Sequence, residues 1–145
     1  WPVGGEIEIL ENRVRIFNIS SSALHFGKQW NKKSTLVGEA LIPRQVRFQD
    51  KFHSISLVSK KNVIAFYIDN SLDPYFTINS DHPEFQKYKY PFNRDYYMIL
   101  NVAVGGKYDD YWVDFDAFCN DEECSNKEDP DSHRFIIDWI EYERL

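Results

Sequence analysis

Apolar and polar residues alternate along short stretches of this chain, with the period of two that marks a half-buried β-strand. Residues 6–10 alternate Glu with Ile and Leu, and residues 13–19 alternate, less regularly, Arg and Asn with Val, Ile and Phe. Residues 34–41, 52–58, 63–69, 96–104 and 135–142 are short and rich in β-branched or aromatic side chains, which suit a pleated surface. Turn-forming runs separate them: Gly4-Gly5, Lys60-Lys61-Asn62, Asp69-Asn70-Ser71, Asp73-Pro74, Gly105-Gly106 and Asp129-Pro130-Asp131. No stretch of about eleven residues carries an apolar stripe at helical spacing. The pattern predicts an all-β domain, a sandwich or jelly roll of antiparallel sheets. Residues 107–133 are the least strand-like and the most acidic, and read as a long loop with one short aromatic piece at 111–118. With neither an internal repeat nor a low-complexity linker, residues 1–145 read as a single domain.

The first predicted strand is unusual because it carries three carboxylates, in the run Glu6-Ile7-Glu8-Ile9-Leu10-Glu11. Strand side chains alternate faces, so Glu6 and Glu8 share one face while Ile7 and Ile9 take the other. Glu11 has the wrong parity to join them. One β-bulge near Ile9-Leu10 adds a residue and returns Glu11 to their face, and bulges are common beside active sites. Glycoside hydrolysis with retention needs such a group: two carboxyls about 5–5.5 Å apart, one nucleophile and one acid/base. A third carboxyl between them raises its neighbours' affinity for protons, because crowded like charges resist ionisation. Without further signals the same run also fits a solvated acidic face.

Composition narrows the choice. Apolar residues make up 43% of the 145, enough for a globular core, and 28% are charged. A net charge of −6 argues against a nucleic-acid partner, since phosphate backbones call for a basic face. No apolar run approaches the roughly 18 residues of a membrane span. Aromatic residues reach 17%, high for an ordinary enzyme domain, although many of those rings also fit a packed core. Cys119 and Cys124 read equally as free thiols or as a disulfide closing a small acidic loop. Together they fall short of a four-ligand zinc site. The sequon Asn18-Ile19-Ser20 is compatible with secretion.

Several landmarks fall in order. Trp1-Pro2-Val3-Gly4-Gly5-Glu6-Ile7-Glu8-Ile9-Leu10-Glu11 resembles the active-site signature of glycoside hydrolase family 16, and His25-Phe26-Gly27 resembles that family's short His-aromatic-Gly element. Phe52-His53, leading to Val63-Ile64-Ala65-Phe66-Tyr67-Ile68-Asp69-Asn70, looks like its strand pair. Phe92 and Tyr96-Tyr97-Met98-Ile99-Leu100-Asn101-Val102-Ala103-Val104-Gly105-Gly106 resemble its late strand, and Ile137-Asp138-Trp139-Ile140-Glu141-Tyr142 its last.

The resemblance, to the laminarinase-like endo-β-1,3-glucanases of the family, covers nearly the whole chain. It implies a concanavalin-like β-jelly-roll sandwich whose N-terminal part is missing, so that a preceding segment becomes an expected partner. It implies a secreted, retaining endo-glycosidase acting on β-1,3- or β-1,3/1,4-glucan, or a non-catalytic glucan-binding protein of the same fold. Glu6 becomes the expected nucleophile, Glu11 the acid/base and Glu8 the middle carboxyl. His25 is expected near the acid/base, Asn101 at the sugar undergoing cleavage, and Trp1 and Trp30 as stacking platforms. Asp138 falls where many relatives bind a structural calcium, although a plain surface or core aspartate suits the position as well; the chemistry requires no cofactor. Glu8 stands where the family usually has Asp, and its extra methylene adds roughly 1.5 Å of reach.

Overall fold

The structure, a computed structural model, describes residues 1–43, 46–113 and 134–144. The chain divides into two compact units, Trp1–Asp95 and Tyr96–Arg144. The first unit holds two antiparallel three-stranded sheets, in which β1 (Glu6–Asn12), β2 (Ile19–Gln29) and β3 (Lys32–Leu41) lie in that order. β4 (Ile55–Lys60), β5 (Val63–Ile68) and β6 (Phe76–Asn79) form the second, also in chain order.

The two sheets pack through residues that share parity. Leu24 and Phe26 on β2 meet Ile64 and Phe66 on β5 and Ile78 on β6, and Ile7, Leu36, Leu57 and Phe76 close around them. Burying a side chain of the Leu or Phe class stabilises the fold by about 1.5–3 kcal/mol. Gly38 on β3 is required here, because a Cβ would fall 2.2 Å from the Phe76 ring. A short helix, α1 (Pro83–Tyr88), caps one side of the core. Proline opens it, the His82 ring accepts from the Glu84 amide, and Phe85 packs 4.6 Å from Phe26.

Four predicted strands have counterparts in the ladders: 6–10, 34–41, 63–69 and the second half of 52–58. The first half, Phe52 to Ser54, lies outside β4; there His53 Nδ1 bonds Asp69 Oδ2 at 2.7 Å and the His53 ring packs at a tilt against Phe48. Residues 13–18 form the connection into β2, closed by the Ile16 amide on the Arg13 carbonyl, and only Ile19 of the predicted 13–19 strand enters a ladder. Its alternation runs across a turn that a period-two pattern does not register.

The second unit differs more from expectation. Residues 96–104 and 135–142 are in no ladder, and the described part of 107–133 opens with a 3-10 helix at Lys107–Asp109. Both runs are apolar on both faces, which suits a strand flanked and covered on every side. Here Tyr97 is 84% and Ile99 70% exposed, and among the described residues no strand pairs with either run. Cys119, Cys124 and most of the aromatic piece at 111–118 lie outside the described residues.

Candidate functional site

The site grows from the register of β1 on β2. Glu6 lies opposite His25, Ile7 opposite Leu24 and Glu8 opposite Ala23; the pairing then shifts, and Glu11 lies opposite Ser21. Three steps along β1 therefore match two along β2, the expected bulge at Ile9-Leu10. A regular ladder would set Glu11 against Ser20, a residue of the core face that is 2% exposed. Paired instead with Ser21, Glu11 joins the face of Glu6 and Glu8.

The three carboxyls feel one another. Burial pushes Glu8 up to about 7, the charges of Glu11 and Glu6 add to the rise, and Glu8 also hydrogen-bonds Glu6. Burial raises the Glu11 carboxyl as well, Glu6 raises it further, and Arg13 opposes the shift. On this face of the sheet, protonated forms of Glu8 and Glu11 persist above the usual carboxylate range.

Groups around the carboxyls fix their orientation. The Trp1 indole Nε1–H donates to Glu6 Oε2 at 2.6 Å. His25 shares a hydrogen bond of 2.8 Å between Nδ1 and Thr35 Oγ1 on β3. Burial lowers the His25 pKa, Glu6 pulls it up and Lys33 pushes it down. The resemblance implied His25 beside Glu11; the register sets it opposite Glu6.

An aromatic shelf adjoins the carboxyls. The Trp1 and Trp30 ring centroids are 5.2 Å apart, and Trp1 lies 6.2 Å from His25. Lys33 Nζ sits 4.2 Å from the Trp1 centroid and 4.5 Å from that of Trp30. Gly27 allows this approach, since a Cβ there would fall 2.4 Å from the Lys32 carbonyl oxygen and 2.8 Å from the Lys33 Cβ.

The first unit thus brings Glu6, Glu8, Glu11, Trp1, His25 and Trp30 together. Asn101 and Asp138 belong to the second unit, both exposed, with Asn101 in a shallow hollow beside Leu100, Val102 and residues 134–137. Sequence reasoning missed Thr35, Lys33 and the hydrogen-bonding role of Trp1. The first two follow only once the β2–β3 register sets Thr35 against His25 and Lys33 against Gly27. Among the described residues, Glu6, Glu8 and His25 form the one group able to offer three ligand atoms to a cation, within 4.8 Å of one another.

No family model matches the sequence. Among curated proteins, a glucan endo-1,3-beta-glucosidase A1 of Niallia circulans is 30% identical over 75% of this chain and 16% of its own length. A beta-1,3-glucan-binding protein of Penaeus monodon is 32% identical over 73% of the chain and 34% of its own length. A glucan endo-1,3-beta-glucosidase of Cryptopygus antarcticus is 30% identical over 74% and 40% respectively. The chain is related to β-1,3-glucanases and β-1,3-glucan-binding proteins. It spans less than half the length of each of these three relatives. Two of them are named for cleavage and one for binding, so the distinction rests on the site itself. Among the described residues no helix is long and apolar enough to cross a membrane.

Proposed function

We propose that the chain carries the catalytic face of a secreted, retaining endo-β-glucanase of glycoside hydrolase family 16, built on a jelly roll and acting on β-1,3- or β-1,3/1,4-glucan. The observation that carries this reading is the bulge between Glu8 and Glu11, which puts a third carboxyl on the face of the other two. A purely solvated acidic strand has no use for it.

In the proposed reaction the Glu6 carboxylate attacks the anomeric carbon, while Glu11 gives its proton to the departing glycosidic oxygen. The Glu11 carboxylate left behind then takes a proton from water. That water attacks the same carbon, the bond to Glu6 breaks, and the product leaves with its original anomeric configuration. Burial and the charge of Glu6 favour the protonated form of Glu11 that the first step requires. Protonated Glu8, hydrogen-bonded to Glu6, limits the negative charge that the cluster must hold before attack. The Trp1 indole fixes one Glu6 oxygen, and the exposed faces of Trp1 and Trp30 offer sugar rings a stacking surface.

A glucan-binding role without turnover is the second reading. It draws on the kinship with a beta-1,3-glucan-binding protein and on Glu8 in place of the family's usual Asp. Reducing-sugar release from laminarin distinguishes the two. The enzyme reading expects release by the chain and near-complete loss in Glu6→Gln. Equal signal from both, or binding with no release by either, favours recognition.

A further inference from the structure

The run Ser20-Ser21-Ser22 lies opposite the bulge, and each of its hydroxyls meets a β1 carbonyl. Ser22 Oγ donates to the Ile9 carbonyl at 2.7 Å, Ser20 Oγ to that of Glu11 at 3.2 Å, and Ser21 Oγ to the same Glu11 carbonyl at 3.4 Å. A bulge takes a residue out of regular pairing and leaves backbone groups in need of partners. Side-chain hydroxyls on the neighbouring strand supply them.

Ser22 is the decisive member. It is fully buried, on the face of β2 that carries Leu24 and Phe26, yet it reaches the backbone of the site strand. A serine hydroxyl has one hydrogen, and Ser22 gives it to Ile9. The Tyr75 hydroxyl, 2.5 Å from Ser22 Oγ, is therefore the donor in that second bond. Burial raises the Tyr75 pKa, so the phenol keeps its hydrogen at neutral pH. Tyr75 belongs to the other sheet's side of the core, where its amide bonds the Phe66 carbonyl and its ring lies 6.4 Å from that of Phe66. A directed chain thus runs from the second sheet through the core to the bulge: Tyr75 O–H to Ser22 Oγ, and Ser22 O–H to Ile9 C=O.

We propose that Ser22 and Tyr75 are positioning residues that hold the bulge in register and so keep Glu11 on the face of Glu6. Neither touches substrate. The assignment rests on the carboxylate chemistry of the preceding section only where turnover is the readout. Removing either hydroxyl leaves a buried polar group without its partner and relaxes the irregular register toward a regular one, which turns Glu11 toward the core face.

The test compares Ser22→Ala and Tyr75→Phe with Ile78→Val, a core change on β6 that removes one buried methylene. Amide hydrogen exchange at residues 9–12 reads the bulge whether or not the chain turns substrate over. Both hydroxyl variants are expected to lose protection there by about tenfold or more, while Ile78→Val keeps the wild-type pattern. Laminarin kinetics read the consequence: kcat falls about 10–10²-fold with KM nearly unchanged, the scale of loss for a reacting group displaced by about 1 Å. Unchanged exchange at 9–12 in both hydroxyl variants overturns the assignment, even if they are less stable. Altered exchange with no turnover by the wild-type chain overturns the glucanase reading instead and leaves the positioning role standing.

Discussion

The two faces of the β1–β2–β3 sheet are made from alternate residues of the same strands, yet they are built to different rules. One face, with Ile7, Leu24, Phe26 and Leu36, is apolar and closed by the second sheet. The other carries Glu6, Glu8, Glu11, His25, Thr35 and Lys33, with the Trp1 and Trp30 rings beside them. On the dry face stability comes from area removed from water. On the wet face three acids are crowded together, and burial with the neighbouring charges favours the protonated forms of Glu8 and Glu11. Truncating an apolar residue of the dry face should therefore be read in stability, and removing the proposed nucleophile from the wet face in activity.

The largest effect expected is on activity. Glu6→Gln should lower glucan hydrolysis about a thousandfold or more, as loss of a nucleophile does. Its unfolding free energy should not fall by more than about 0.5 kcal/mol, because a half-exposed side chain is replaced by one of its own shape and a like charge is removed. Phe26→Ala reverses the signature. It removes a ring that packs on Phe85 and Phe92, and should cost about 3–5 kcal/mol in chemical denaturation. Substantial loss of stability in Glu6→Gln, or little in Phe26→Ala, would erase the distinction between the faces.

Glu8→Gln gives a smaller effect with a definite pH dependence. The folded pKa of Glu8 lies near 7 against an ordinary 4.5, so folding favours the protonated acid. Its contribution is present in full below pH 4.5 and is lost as pH rises to about 7. Glutamine cannot ionise and loses nothing over that window. The variant should match wild type near pH 4 and exceed it by about 1–2 kcal/mol at pH 8, less than full linkage because the group is half exposed. Thermal melts across pH 4–8 measure the gap. A constant gap would mean that neither burial nor its acidic neighbours raise the Glu8 pKa.

Much of this face was legible in the sequence because parity is strict. Glu6 and Glu8 alternate cleanly with Ile7 and Ile9, and Glu11 joins them only through an extra residue, which the ladder contains. β2 was harder to read. Three serines and Gly27 mask its alternation, since small residues carry little hydrophobic contrast and only the buried Leu24 and Phe26 reveal the inner face. α1 spans six residues, too few to display a helical stripe. Residues 96–104 misled in the opposite sense, for strong β-propensity is no substitute for a strand beside it. Trp1 was read as a stacking ring; its hydrogen bond to Glu6 depends on how the chain enters β1, and no local pattern encodes that.

The central claim is that the bulge sets Glu6 and Glu11 close enough for one to attack while the other gives up its proton. Carboxyls about 5–5.5 Å apart give retention, whereas a separation of about 6.5–9.5 Å admits a water and gives inversion. Proton NMR of laminarin hydrolysis, recorded before the free sugars mutarotate, identifies the anomer formed first. The account predicts the β-anomer, and initial appearance of the α-anomer would contradict it.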